Sequence, residues 1–133
     1  MKVVRFQVET EKRAQVVLVR ERVNEILGEL EAADGLCHLW CPHTTAALTV
    51  NEGWDPDVQV DLLARLEAIV PWKAGYQHAE GNSAAHIKAA LVGPGVTVPV
   101  AQGKLALGQW QDVYFCEFDG PRKRTVEVRF LAG

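Results

Sequence analysis

Side chains able to bind a metal or move a proton gather in three short stretches of this chain. The first, Cys41 to Glu52 (CPHTTAALTVNE), carries His43 and Thr44 at one end and Asn51 and Glu52 at the other. The second, YQHAEGNSAAHIK, holds His78, Glu80, Asn82, Ser83, His86 and Lys88. The third, GKLALGQWQDVYFCEF, holds Gly108, Trp110, Gln111 and Glu117. A strand folds without His43, Thr44, Asn51 or Glu52, so these residues invite a chemical reading. Neutral imidazole is the commonest ligand for zinc, nickel, copper and iron. Three protein ligands with one open position make a catalytic zinc site. The three stretches are therefore expected to converge on one polar, metal-capable site with His43, His78 and His86 as ligands. Plainer readings stand beside this one. Asn51 and Glu52 suit turn chemistry after a strand. Glu80 serves as a base or as a solvated loop carboxylate. Thr44 is a β-branched residue at a strand start, and Trp110 suits a core or an interface. Arg122 meets a phosphate or pairs with an acidic neighbour.

Composition narrows the function classes. At 133 residues the chain is expected to be a single domain spanning 1–133. Its formal net charge is -3, and its longest basic run is Arg122 to Arg124, which argues against nucleic acid or an anionic membrane as partner. No apolar stretch approaches the ~20 residues that span a bilayer. The N-terminal MKVVRFQVE lacks the apolar region of a signal peptide, so a cytoplasmic location is expected. Three cysteines, an odd count, argue against a disulfide framework. On a strand, Cys37 and Cys41 would lie ~13 Å apart, too far for one zinc ion bound at ~2.3 Å. They are expected to share a face with Leu39 as small core residues.

The elements that must position these residues follow from periodicity. Residues 3–9 and 14–19 read as strands joined by a turn at Glu11 to Arg13. A helix over 21–34 places Val23, Ile26, Leu27 and Leu30 on one stripe, with Gly35 as its left-handed cap. A strand over 35–41 sets His38 and Trp40 opposite Cys37, Leu39 and Cys41. Pro42 then interrupts the ladder before a strand over 45–51. Asp55 and Pro56 open a helix whose broad apolar face comprises Val58, Leu62, Leu63, Leu66, Ile69 and Val70, with Asp61 outside that arc. A loop spans 71–82. A short helix capped by Ser83 and stopped at Gly93 carries His86 in its first turn, at about the third position. The remainder reads as β-structure, ending in the alternation of Val126, Val128 and Phe130. Strands and helices intermixed in this order predict an α+β fold.

HTTAALTVNE, a DP followed by Asp61, YxH…EGN…AHIK, PVxxGxLxLGxWQ and an EFDGPR run occur in this order. With these motifs the chain resembles the YjbQ-like family from about residue 37 onward. The family pattern falls on His43, Thr44, Asn51, Glu52, Asp61, His78, Asn82, His86, Gly108, Trp110, Gln111 and Glu117. The chain departs from it at Gln109 and in a shorter loop from His78 to Asn82. The resemblance implies a compact β-sandwich of mostly antiparallel strands, a homotrimer and a divalent metal on the three histidines. Zinc or nickel suits these ligands better than magnesium, which prefers oxygen.

The resemblance also implies a small-molecule enzyme, since family members are associated with a secondary thiamine-phosphate synthase activity. That transfer expels pyrophosphate, which the helix start at Ser83, Lys88 and Arg122 would hold. Metal-assisted hydrolysis of a small phosphorylated molecule fits equally well, with Glu52 or Glu80 as base and Asn51 and Asp61 completing the catalytic set. Thr44, Asn82, Trp110 and Gln111 join as substrate contacts. The alternative is a non-catalytic trimeric module that binds a metal or small ligand in a closed site.

Overall fold

The two-residue alternation of Val4, Phe6 and Val8 makes β1 (Val3–Glu9) an edge strand in a computed structural model that describes residues 1–133. There follow β2 (Gln15–Leu18), α1 (Arg20–Glu29), β3 (Gly35–Trp40), β4 (Ala46–Glu52), α2 (Pro56–Ile69) and α3 (Ser83–Val92). The chain ends with β5 (Gly95–Ala101), β6 (Lys104–Leu105), β7 (Gln111–Glu117) and β8 (Lys123–Ala132). One sheet has the order β1-β8-β3-β5-β6 and the other β2-β7-β4, and every pairing is antiparallel. The expected α+β sandwich of antiparallel strands is the architecture found.

Register places the apolar residues in rows. Val128 lies opposite Val4 on one side and Leu39 on the other; Phe130 lies opposite Cys37. Val128, Leu39 and Cys37, with Val113 and Phe115 of β7 and Val23, Ile26 and Leu27 of α1, belong to the main core between the sheets, and Val4 and Phe130 pack against it. β7 is buried on both faces, because Tyr114 and Cys116 point the other way. There they meet Ala47, Ala85, Ala89 and Phe118 beneath α3. The small alanines let α3 lie close on the smaller sheet. All three cysteines are buried free thiols, as expected for Cys37 and Cys41. Burial raises Cys37 to about 12 and Cys41 to about 11.

Three local expectations need correction. First, α1 ends at Glu29, before Asp34, and Glu31 takes the left-handed conformation with φ 53°. Asp34 instead accepts the Gln102 N–H at 2.9 Å. Gly35 opens β3, where a Cβ would stand 2.0 Å from the Leu131 carbonyl oxygen, so it is a close-approach glycine. Second, Asn82 precedes α3 and Ser83 is its first residue; no side chain caps that end. The Asn82 amide is drawn away to Asp119, so the N–H groups of Ser83 and Ala84 have no side-chain cap, while the Ala85 N–H donates to the Asn82 carbonyl at 3.0 Å. Third, α2 buries no residue fully, and Ile69 is 68% exposed. Asp55 caps it as expected, accepting the Asp57 N–H at 2.9 Å. The helix rests on the smaller sheet only through Leu62, Leu63 and Leu66.

One polar pair lies where the two sheets meet. Glu117 ends β7 in one sheet and Arg124 begins β8 in the other, and the two side chains are almost wholly buried. Arg124 Nε donates to Glu117 Oε1 at 2.8 Å, and a second guanidinium nitrogen donates to Oε2. Thr10 Oγ1 donates to Oε1 at 2.8 Å and the Asp119 N–H to Oε2 at 3.0 Å. Burial pushes the Glu117 carboxyl up; the Arg124, Asp119 and Thr10 hydrogen bonds outweigh it and hold the group below its ordinary 4.5.

Arg124→Met, which strands a buried carboxylate, is expected to cost about 3–5 kcal/mol in urea unfolding, with much of it recovered by adding Glu117→Leu. The folded carboxyl titrates below the unfolded one, so its contribution is complete above about pH 4.5 and is lost as pH falls through the folded value. The double variant should flatten that acid limb.

Candidate functional site

The candidate site is built on the bend before β4 and on the first turn of α3. Pro42 ends β3 and turns the chain, so that Thr45 Oγ1 accepts from Arg124 at 2.8 Å and His43 Nε2 accepts the Thr125 N–H at 2.9 Å. Burial first, and then the nearby Arg124 charge, push His43 below its ordinary 6.5. The bond from Thr125 also requires the neutral ring, since only an unprotonated Nε2 accepts. His86, on α3, meets His78 from the preceding loop edge to face, with ring centroids 5.4 Å apart and planes at 84°. Glu80 Oε1 lies 3.9 Å from His78 Nε2.

Two adjoining cavities meet at His86. One, of about 450 Å³, is lined by Tyr76, His78, Ser83, His86 and Ile87. The other, of about 340 Å³, is lined by His43, Thr44, Ala46, His86 and Pro94. His43, His86 and His78 thus border one groove in that order. Asn82 stands beside it, its Nδ2 donating to Asp119 Oδ2 at 2.9 Å. That bond fixes the amide orientation and leaves Oδ1 a buried acceptor with no donor.

The other sequence candidates lie elsewhere in the chain. Asn51 and Glu52 sit at the far end of β4, six residues and about 20 Å along the strand from Ala46. There they do turn chemistry: Asn51 Oδ1 accepts the Glu52 N–H at 2.8 Å, and Glu52 Oε2 accepts the N–H groups of Trp54 and Asp55. Gln111 pairs with Glu52 across the ladder, and its Oε1 accepts the Gly108 N–H at 2.8 Å. Trp110 is exposed and packs edge-on against Trp54 at 5.9 Å. Asp61 is exposed on α2 beside Ala64 and Arg65. Lys88 is buried in a different cleft, bonded to Glu67 at 2.7 Å. Arg122 pairs with Asp119 at 3.1 Å, on the same Oδ2 that takes the Asn82 amide, and lines neither cavity. Within one chain, then, the sequence candidates divide between a histidine end and a tryptophan end rather than meeting at a point.

This geometry bears on how a metal would be held. Occupation of the His43 Nε2 lone pair by Thr125 leaves that ring with a protonated Nδ1 and no free lone pair for a metal. His78 and His86 are the two imidazoles brought into contact, with ring centroids 5.4 Å apart, and Glu80 is the nearest carboxylate. No three His, Cys, Asp or Glu side chains in one chain are gathered closely enough to hold an ion by themselves. Sequence reading missed Tyr76, Ile87 and Pro94 as groove lining, since each reads as ordinary loop or helix surface. It also missed Asp119 as the residue that orients Asn82.

Fold and site together define a class: a two-sheet α+β protein with a histidine pair at the start of the helix that covers the smaller sheet. The chain belongs to the family described as UPF0047 protein YjbQ-like, whose pattern matches residues 4–133. The UPF0047 protein YugU of Bacillus subtilis is 44% identical over 127 residues, covering 95% of this chain and 96% of its own. A UPF0047 protein of Methanocaldococcus jannaschii is 39% identical over 127 residues, covering 96% and 92%. Among solved structures, an uncharacterised YjbQ/UPF0047 protein of Clostridium acetobutylicum superposes with TM-score 0.94 at 42% identity, covering 96% of this chain and 99% of that one. A hypothetical protein of Aeropyrum pernix K1 superposes with TM-score 0.94 at 36% identity, covering 100% of both. No helix of the chain is long and apolar enough to cross a membrane.

His43 gives a pH prediction. Its folded pKa lies below the unfolded 6.5, so the unfolded chain binds more protons and stability rises with pH through this range. The contribution is complete above about pH 6.5 and is lost as pH falls toward the folded value. His43→Gln keeps an acceptor for the Thr125 N–H and cannot titrate. Urea midpoints measured between about pH 7 and pH 5 should fall less steeply in this variant than in the parent.

Proposed function

We propose that the groove bordered by His43, His86 and His78 binds a small phosphorylated molecule together with a divalent metal, and hydrolyses it. The observation that carries this reading is the His78–His86 pair. Two imidazole rings stand with their centroids 5.4 Å apart, at a helix start whose N–H groups no side chain caps. Zinc or nickel suits two imidazoles better than magnesium does. When bound, such an ion polarises a phosphoryl oxygen and lowers the pKa of a coordinated water. Free N–H groups at the start of α3 and the Ser83 hydroxyl receive phosphate oxygens. Glu80, exposed beside His78, takes the proton of the attacking water. His43, neutral and anchored by Thr125, donates a hydrogen bond from its Nδ1–H to the substrate from the far wall, next to Thr44.

Hydrolysis is preferred over a thiamine-phosphate synthase-like transfer because of where the cations sit. Lys88 and Arg122, which would hold a leaving diphosphate, are paired with Glu67 and Asp119.

The proposal includes a homotrimer closed head to tail. In a ring of that kind one end of each chain meets the other end of the next. Asn51, Glu52, Trp110 and Gln111 would in that way approach a neighbour's histidines. Exposed Trp54, Trp110, Ile69 and Leu91 support an assembly that covers apolar surface.

Element analysis of the purified protein, followed by phosphate release from a panel of phosphorylated metabolites, tests the reading. His78→Ala and His86→Ala are expected to lose bound metal far beyond the ~10–100-fold of a change behind the ligands, with the melting temperature of the metal-free protein nearly unchanged. Unchanged metal content with a lower metal-free melting temperature would assign these rings to packing. A metal-loaded protein silent on the whole panel would favour a non-catalytic binding module. Light scattering should give three times the 14.7 kDa chain mass; a monomer would overturn the trimer.

A further inference from the structure

Lys88 and His86 lie on one helix but face different cavities. Two residues apart on α3, they point roughly 160° away from each other around the helix axis. Lys88 is directed inward and is 3% exposed, lining a cleft of about 350 Å³ between α2, α3 and the start of β2. Leu63, Leu66 and Phe118 form its apolar walls, and Arg13 and Glu67 complete its polar lining. Both cations are posed. The Arg13 guanidinium stacks 4.3 Å from the centre of the Trp72 ring. Trp72 in turn donates its backbone N–H to Glu67 Oε2 at 2.8 Å. Lys88 Nζ donates to Glu67 Oε1 at 2.7 Å and meets no other protein acceptor, so two of its three N–H groups are unmatched.

Such a pair is poorly balanced for a purely structural role. A buried ammonium is costly unless its donors are satisfied, and its single partner, the Glu67 side chain, is half exposed. The charges lining the cleft, Arg13 and Lys88 against Glu67, leave one positive charge over. An apolar hollow of this size, holding a few directed polar groups, has the form of a small-molecule site.

We infer that this cleft is a second binding site, separate from the histidine groove, for a small anion: a carboxylate or phosphate group carried on an apolar body. The acid group takes the two unmatched Lys88 donors and the Arg13 guanidinium. The apolar body lies against Leu63, Leu66 and Phe118. This assignment does not depend on any metal or reaction at the histidines.

Titration of the isotope-labelled protein with benzoate and, separately, phenyl phosphate, followed by amide NMR, tests it. The expected result is saturable shifts at Arg13, Leu63, Lys88 and Phe118 with at least one probe, and none centred on His78 or His86. Which probe binds more tightly tells a carboxylate site from a phosphate site. Lys88→Met should weaken binding about tenfold or more, as loss of a charge-assisted hydrogen bond does. Lys88→Arg should retain part of the affinity. Leu63→Trp, which fills the hollow and leaves the Lys88–Glu67 pair in place, should abolish binding even if Lys88→Met fails to fold. His86→Ala should bind as the parent does. No saturable shift with either probe, or shifts indifferent to both Lys88→Met and Leu63→Trp, would reduce the ion pair to a clamp between α2 and α3.

Discussion

The buried pair of Glu117 and Arg124 is the constraint on which the rest of the structure depends. Each residue ends or begins a strand of a different sheet, so their contact sets how the two sheets meet. A carboxylate at this depth survives ionised only because Arg124, the Asp119 N–H and the Thr10 hydroxyl all reach it. The network then runs outward in two directions. Through Thr45 and Thr125 it holds the bend that carries His43. Through Asp119 it holds Asn82 at the start of α3, and so the turn that presents His86. Two walls of the candidate groove, far apart in sequence, are referred to the same buried charge pair.

α3 is the element on which the functional readings converge, and its faces divide the work. Ala84, Ala85 and Ala89 are small enough to seat it on the smaller sheet. His86 points away from that sheet toward the groove, whereas Lys88 lies on the buried side and reaches under α2. α2 itself is held by Leu62, Leu63 and Leu66 and by the Glu67–Lys88 bond, with much of its apolar surface uncovered.

Much was legible in the sequence because it rests on local, periodic interactions. Alternation along Val4, Phe6 and Val8 and along Val126, Val128 and Phe130 determined strands and their inward faces. The same period set Cys37, Leu39 and Cys41 together in the core. Asp55 followed by Pro56 determined the start of α2, and Gly93 the end of α3, because capping depends on a few neighbouring residues. Arg124 was a signal left unread. It shares the inward parity of Val126 and Val128, and an arginine at such a position requires a buried partner.

Only the tertiary structure decided which polar residues meet. The motifs of the three stretches are equally suggestive in sequence. Glu52, however, is drawn into the turn before α2, and Lys88 falls on the other side of its helix from His86. His43 faces the groove with its acceptor nitrogen already engaged by a backbone group 82 residues away. Side-chain direction at a bend, and the partner that occupies a lone pair, depend on contacts between strands distant in the chain. Residue type and spacing determine which chemistry is available; the packing of one sheet on the other decides which atoms remain free to perform it.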